Sequence, residues 1–344
     1  MALPGDLSLP VALPFNYAQF PLLTAGLRMH SSFSPPSCAC TASNTVPPIA
    51  TIPTQWPEFA KRVSGEWDGF GADFSCDGKA LQLPESVVPE AFREWEVEVY
   101  DWQTQCPTLA IPDDHHILYR NIKLLPTVGC EADAATRYSI KERNPSADAH
   151  VFAYHSSGSF VAVWPLSGSS QRFELEHCLV NPSDPESRIR IILTIDVVPG
   201  SPISLAGIAM FSELWYGPFR NGDQLGGCAI GNTAFASTAP LDGSLVTGSW
   251  QGPSSVAKVS SSQDGRYMEL VGGHTQKTIR DTQSLILLPS RAWCSVSESG
   301  ADEAKCEVGW LVNDHTSISC KCIFSGDSKK LKEIWLAQEI MVKD

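Results

Sequence analysis

Short segments in which apolar and polar residues alternate dominate the chain from Glu94 onward. Alternation with a period of two places every second side chain on one face, which is typical of a half-buried β-strand. The pattern predicts strands at 94–100, 119–125, 137–142, 151–154, 159–164, 172–180 and 188–195, and then at 246–259, 284–289, 305–312, 318–324 and 332–342. Short antiparallel strands at this spacing predict a sandwich or a barrel.

One helix is predicted ahead of the strands. Trp56, Phe59 and Val63 recur at helical spacing, and Pro57 suits the first turn of a helix. We expect this short helix to cap one end of the first barrel.

The pattern Gly-x-Trp-x-Gly occurs twice, at 65–69 and at 248–252, each time at the head of a β-rich segment. A tryptophan can plug the end of a barrel while its indole N–H reaches a backbone carbonyl, and glycine allows close approach of a neighbouring element. We therefore assign barrel closure to four residues, namely Gly65, Trp67, Gly248 and Trp250.

The repeated motif predicts a duplicated, all-β architecture of two tandem antiparallel barrels. The expected boundaries are 56–220 for the first barrel, 221–240 for a linker and 241–344 for a smaller second barrel.

The first fifty residues have a different composition. From Met1 to Gln55 the only acidic residue is Asp6 and the only Lys or Arg is Arg28, and Ser, Thr, Pro and Ala are abundant. This composition is typical of a chloroplast transit peptide. We predict that residues 1–50 are a disordered transit peptide and that the mature protein lies in the chloroplast stroma.

Both motif copies resemble the lipocalin signature of the calycin superfamily. More of the chain resembles an uncharacterised calycin family of cyanobacteria and chloroplasts, a family named only as a domain of unknown function. The matching blocks are Trp56 and Phe59 ahead of the first motif, Leu288-Pro289, Cys294, and Glu307-Val308-Gly309-Trp310-Leu311-Val312. The resemblance implies lipocalin-like barrels that hold a small molecule.

That family is distantly similar to the S-type lyases that attach bilins to phycobiliproteins. Where its cyanobacterial members often carry a run of arginines, this chain has Ile318-Ser319-Cys320-Lys321-Cys322-Ile323. The departure disfavours an anionic tetrapyrrole in the second barrel. The first barrel keeps Arg188 and Arg190, which would project to the same side of a strand.

Four residues are candidate ligand-binding residues: His177, Arg188, Arg190 and His155. The arginines, together with Lys141 and Arg143, could hold a ligand carboxylate. His177 faces the barrel interior if Phe173 and Leu175 do, and His155 precedes a Ser-Ser-Gly turn. Each of these residues could instead be structural, the arginines as solvated strand residues and the histidines as satisfied polar groups.

No other motif adds chemistry to this picture. The run Asp113-Asp114-His115-His116 is expected to be an exposed loop, and Cys320-Lys321-Cys322 is not a zinc knuckle because its thiols would share one face of a strand. The sequence contains no Walker loop, GxSxG elbow, Rossmann fingerprint or HExxH motif. We therefore predict no catalytic residue, metal site or cofactor.

The formal net charge of −13 argues against nucleic acid as a partner, and no apolar run is long enough to cross a bilayer. The predicted partner is an apolar or amphipathic small molecule such as a tetrapyrrole, carotenoid or lipid. Two alternatives stay open: a lyase-, isomerase- or cyclase-type enzyme acting on such a ligand, and an assembly factor for pigment–protein complexes. The enzyme hypothesis expects His177, His155 and Arg190 to converge inside one barrel.

Overall fold

A computed structural model describes residues 54–128, 136–166, 171–198, 200–223, 233–259, 266–299, 303–326 and 329–342. The predicted transit peptide, residues 1–50, lies outside the described residues. The described residues all belong to one compact unit. The division into a first barrel, a linker and a second barrel stays a prediction.

Among the described residues, three short α-helices accompany the strands, namely α1 (Trp56–Val63), α2 (Glu90–Glu94) and α3 (Pro145–Asp148). The first confirms the predicted helix, with proline in its first turn. Trp56, Phe59 and Val63 are buried together on one face of α1.

Apart from short 3-10 turns at Glu85–Val87, Gly243–Leu245 and Thr282–Ser284, the remaining regular structure among the described residues is β-strand, which confirms the all-β prediction. The first half contains β1 (Trp67–Phe74), β2 (Trp102–Gln105), β3 (Thr108–Ile111), β4 (His116–Leu124), β5 (Arg137–Arg143), β6 (Val151–Tyr154), β7 (Phe160–Pro165), β8 (Arg172–Asn181), β9 (Asp184–Asp196) and β10 (Ser204–Trp215). The second half contains β11 (Gly248–Gly252), β12 (Ser254–Lys258), β13 (Tyr267–Glu269), β14 (Val271–Gly272), β15 (Gln276–Arg280), β16 (Ile286–Leu288), β17 (Ala292–Ser299), β18 (Glu303–Asn313), β19 (Thr316–Ser325) and β20 (Leu331–Val342).

The first sheet has the order β13-β6-β7-β8-β9-β10-β1-β2-β4-β3, with β5 attached to β4. It curls into a half-barrel. Among the described residues its ladder ends at β3 and β13, so hydrogen bonding does not close it into the ring that the motif suggested. Strand β13 comes from the second half of the chain and pairs in parallel with β6, so the two halves share this sheet.

The second sheet has the order β14-β12-β20-β19-β18-β17-β16, and β11 joins it by pairing with β15 and β20. Neighbouring strands of its centre are long antiparallel hairpins, β17 to β20. The predicted strands at 305–312, 318–324 and 332–342 are confirmed within this hairpin series.

One predicted strand is wrong. The alternating segment 94–100 begins at the last residue of α2 and forms no strand. Glu96 adopts a φ of 54°, a left-handed conformation that interrupts an extended chain. Trp95 and Val97 are 63% and 46% exposed, so the apolar members of the alternation have no core to face.

The first sheet has two faces with different neighbours. Its inner face packs against α1 and includes Tyr119, Phe152, Phe160 and Trp164. Its opposite face packs against the second sheet, where β8 contacts β18 and β19. We call this second face the interface face.

The interface face joins both halves of the chain in one apolar core. Leu175 and Ile191 of the first sheet belong to the same buried cluster as Cys306, Cys320 and Cys322 of the second. The two cysteines of the 320–322 segment share one face of β19, as the sequence predicted, and both are buried free thiols. The two halves are therefore packed together through this core.

The two motif tryptophans lie in strands, Trp67 at the start of β1 and Trp250 within β11, and both are fully buried. Each indole Nε1 donates to the carbonyl four residues earlier, at 2.9 Å to Val63 and 2.6 Å to Val246. The second glycine of each motif allows close strand approach. A Cβ at either position would lie 1.9 Å from a carbonyl oxygen, that of Ser212 for Gly69 and that of Gln338 for Gly252.

The first glycine of each motif turns the chain. Gly65 and Gly248 adopt φ values of 142° and 116°, a region that favours glycine. The motif therefore acts in both halves as a turn, a buried ring and a close strand contact.

Candidate functional site

A buried ionic cluster lies on the inner face of the first sheet. Arg188 Nε donates to Glu213 Oε2 at 2.7 Å, and Arg190 Nη2 donates to Glu213 Oε1 at 2.7 Å. Arg190 Nη1 donates to Glu176 Oε1 at 2.7 Å. Each of these side chains is at most 1% exposed. Two guanidinium groups and two carboxylates thus balance their charges away from water.

Strand register builds this cluster. Arg188 of β9 lies directly opposite Glu213 of β10, and Arg190 lies opposite Cys178 of β8. Residues directly opposite on antiparallel strands have close Cβ atoms, and diagonal neighbours are within reach of long side chains. The two arginines project to the same side of β9, which confirms the sequence prediction.

Electrostatics keep Glu213 and the two arginines ionised. Burial would raise the pKa of Glu213, but Arg188 and Arg190 outweigh it and lower that pKa below its usual value. Burial also opposes the charge on Arg190, yet the pKa of this guanidinium rises well above its ordinary range because Cys106, Glu213 and Glu176 surround it. A buried ion pair of this kind stabilises a fold only while both partners remain.

Aromatic side chains enclose the cluster. The Tyr119 hydroxyl and the Trp164 indole donate to Glu176 Oε2 at 2.7 and 3.0 Å. The Arg188 guanidinium lies 4.0 Å above the ring of Trp67, and that of Arg190 lies 4.6 Å from the ring of Phe211. Cation–π contacts of desolvated arginines are favourable. The first motif tryptophan is therefore part of the ionic cluster.

The second sheet carries a matching cluster. Arg280 Nη2 donates at 2.6 Å to both Glu307 and Glu339, and its guanidinium lies 5.8 Å from the ring of Trp250. Glu213 stands two residues before Trp215, the strand partner of Trp67. Glu339 stands two residues before Met341, the strand partner of Trp250. Both halves thus place an arginine–glutamate pair beside the motif ring.

A cavity of about 690 Å³ adjoins the first cluster. Its wall combines the apolar side chains of Ile192, Ile208 and Phe211 with charged groups. The charged lining residues are three cations, Lys123, Lys141 and Arg143, and two acids, Asp73 and Glu174. The volume lies within the range of small-molecule sites, about 300–1,000 Å³.

Two lining residues connect the cavity to the cluster. The ring of Phe211 lies 4.6 Å from the Arg190 guanidinium. Arg143 lies 4.5 Å from the ring of Trp164, whose indole binds Glu176. Phe211 and Arg143, which we call the floor of the cavity, are therefore held in place by contacts with the ionic cluster and with Trp164.

Strand β5 is joined to β8 by side-chain ion pairs and not by backbone hydrogen bonds of the described residues. In the described part of the chain β5 pairs only with β4, and its residues are exposed except Arg143. Arg143 and Lys141 both form ion pairs with Glu174 of β8, the latter at 3.0 Å. Burial would raise the pKa of Glu174, but Arg143 and Lys141 lower it. Arg143 Nε is buried without a hydrogen-bond partner among the described residues.

His177 is not in the ionic cluster. It lies on the interface face of β8, where its strand partners are Val161 and Ile191, and it is fully buried. Neither ring nitrogen has a hydrogen-bond partner in the described structure, and burial lowers its pKa to about 3. The sequence placed His177 in a barrel interior only on the condition that Phe173 and Leu175 face it too. The face that packs against α1 instead carries Glu176, which is paired with Arg190.

His155 lies in the turn between β6 and β7. Its Nδ1 is 2.9 Å from the Ser157 hydroxyl, and burial lowers its pKa. His155, His177 and Arg190 are thus not brought together, in contrast to the expectation of the enzyme hypothesis. Residues 113–115 form an exposed turn, as predicted, and His116 is the first residue of β4.

Sequence reasoning missed several residues of the site. Glu176, Glu213 and Tyr119 complete the cluster, and Lys123 and Glu174 line the cavity. One signal was available: arginines on an apolar strand need acidic partners on neighbouring strands. Glu213 stands among apolar residues in Met210-Phe211-Ser212-Glu213-Leu214-Trp215.

Comparison with solved structures finds proteins of similar fold. Among them, a crystal structure from Nostoc punctiforme, described as a protein of unknown function from the DUF3598 family, has 15% sequence identity and a TM-score of 0.49. The match covers 85% of this chain and 100% of that chain. No family model matches the sequence, and no curated protein matches it. Within the described residues, no helix is long and apolar enough to cross a membrane.

Substituting Glu213→Gln should destabilise the protein strongly, because Arg188 would lose its described ion pair and Arg190 would keep only its pair with Glu176. We expect a loss of about 3–5 kcal/mol in the free energy of unfolding, measured with urea at neutral pH. Glu142→Gln is the matched control, since Glu142 pairs with Arg120 at the surface and should cost below about 1 kcal/mol. Equal losses in both variants would contradict the role of the cluster.

His177 should make stability depend on pH. The unfolded chain protonates this histidine near its ordinary pKa of 6.5, whereas the folded chain, with a pKa of about 3, does not. Stability is therefore complete above pH 6.5 and falls as the pH decreases, by about 2 kcal/mol between pH 7 and pH 5. His177→Leu should remove that part of the pH dependence in urea unfolding, and the exposed His274→Leu should retain it. An unchanged slope in His177→Leu would refute this assignment.

Proposed function

We propose that this protein is a calycin-like binding protein that holds an amphipathic small molecule, such as a tetrapyrrole, carotenoid or lipid, in the cavity of the first sheet. The observation that carries the proposal is the cavity of about 690 Å³, whose lining joins apolar side chains to three cations. A ligand with an apolar body and a polar end matches both parts of this wall.

The rigidity of the surroundings supports the proposal. The cavity floor rests on the ionic cluster, whose side chains are held by several charge-assisted hydrogen bonds. A preformed site loses little conformational entropy when a ligand enters. The cavity therefore suits reversible, non-covalent binding.

A second groove of about 560 Å³ provides an internal comparison. It lies at the meeting of β12, β13, β14 and β20, and its lining includes the exposed residues Val271, Gly272 and His274. Its charged lining residues are one cation, Lys258, and two acids, Glu269 and Glu333, so it lacks the excess of positive charge that the first cavity has. We assign the ligand to the first cavity for this reason.

Filling the first cavity should abolish binding. Gly207 lines it, and a Cβ at this position meets nothing within 4 Å, so Gly207→Trp places an indole in open space. Gly272→Trp is the matched control, because Gly272 lines the second groove and a Cβ there also meets nothing within 4 Å. We expect saturable quenching of tryptophan fluorescence by a panel of tetrapyrroles, carotenoids and fatty acids in the wild type and in Gly272→Trp, and its loss in Gly207→Trp. Absence of binding across the panel in the wild type would refute the proposed function.

We further propose that the protein acts in the chloroplast stroma after removal of an N-terminal transit peptide, on the basis of the acid-poor, Ser-rich segment 1–50. A fusion of residues 1–55 to a fluorescent protein should enter chloroplasts of leaf cells, and a fusion of residues 56–344 should stay outside. Cytosolic fluorescence from the first fusion would overturn the assignment.

A further inference from the structure

We infer that the ligand of the first cavity is a monoanion whose carboxylate binds Arg143 and Lys141 in competition with Glu174. This inference rests on the proposed function and names the chemical class of its ligand. It follows from the charges of the cavity wall, the geometry around Arg143, and the way in which β5 is attached to β8.

The charge of the wall favours an anion. Three cations and two acids line the cavity, which leaves one positive charge in excess. Asp73 is paired with Lys123 at 3.3 Å, and Glu174 is paired with Lys141 and Arg143. A single ligand carboxylate would neutralise the excess, whereas a neutral ligand would bury part of it unpaired, which is costly.

The two arginines of the ionic cluster are not available for this role. Arg188 and Arg190 are each about 1% exposed and are paired with Glu213 and Glu176. An incoming anion would meet these carboxylates beside either guanidinium. The candidate cations for a ligand are therefore those of the cavity wall.

Arg143 has the geometry of a carboxylate receptor. Its guanidinium is fixed on the ring of Trp164 at 4.5 Å, and its side chain is 7% exposed. Its Nε is a buried donor with no partner in the described structure, and Arg143 is one of the residues that line the cavity. A planar guanidinium binds carboxylates through two parallel hydrogen bonds. The carboxylate of a ligand would accept a hydrogen bond from Arg143 Nε, which Glu174 leaves without a partner.

Glu174 occupies part of the place where that carboxylate would bind. It accepts from both Lys141 and Arg143, and it is the bridge between β5 and β8. Lys141 is 51% exposed, so an anion can approach the pair from solvent. Exchange of one carboxylate for another keeps the cations paired, and it weakens the bridge that holds β5.

The test compares a carboxylic acid with its alcohol. Binding of dodecanoic acid and dodecanol would be measured at pH 8, where the acid is ionised, by tryptophan quenching and by calorimetry. The wild type should bind the acid about tenfold more tightly than the alcohol, the factor that one favourable charge contact typically contributes. Glu174→Gln should tighten the acid about tenfold and leave the alcohol unchanged, because it removes a competing like charge.

Two further variants control for changes in folding. Lys141→Gln alters a half-exposed side chain and should weaken the acid alone. Glu142→Gln removes an acid of β5 that does not line the cavity and should leave both affinities unchanged. Equal binding of acid and alcohol by the wild type, or a Glu174→Gln effect common to both ligands, would overturn this inference while leaving the proposed function standing. Binding of neither ligand, nor of the wider panel, would overturn the proposed function and this inference with it.

Discussion

The pairing of Glu213 with Arg188 and Arg190 is the interaction on which the inner face of the first sheet depends. It ties β9 to β10, and it places one guanidinium on the ring of Trp67 and the other on that of Phe211. Without the glutamate, two buried cations would depend on Glu176 alone. The desolvation penalty of an uncompensated charge exceeds the gain from any single apolar contact nearby.

The second half of the chain also contains a buried arginine paired with two glutamates beside its motif tryptophan. Arg280 bridges Glu307 and Glu339 near Trp250. Glu339 has the position relative to Trp250 that Glu213 has relative to Trp67, whereas Arg280 lies on β15, which pairs directly with the motif strand β11. The surroundings differ, because Lys321 and the hydroxyl groups of Ser319 and Thr278 join the second cluster. A duplicated motif thus carries a duplicated charge pair, and only the first copy adjoins the large charged cavity that we describe.

Each sheet has one face that packs in the apolar core and one face that carries buried ion pairs. Their interface faces supply one continuous apolar core, rich in Ile, Leu, Val and Cys, in which His177 is an isolated polar group without a described partner. Their opposite faces hold the ionic clusters, and in the first sheet the cavity adjoins that cluster. Because side chains alternate along a strand, a single strand such as β8 serves both purposes, with Leu175 on one face and Glu176 on the other.

The sequence by itself determined the local structure: the helix from Trp56, most strands, the tight turns and the shared side of Arg188 and Arg190, because periodicity and turn chemistry are properties of neighbouring residues. It did not determine which face of β8 would be buried against which partner, so it left the position of His177 conditional. Only the tertiary structure decided the pairing of Tyr119 with Glu176, 57 residues apart, and the insertion of β13 beside β6. Such contacts depend on register and on the compensation of buried charge between distant strands, and neither quantity is encoded in a local pattern.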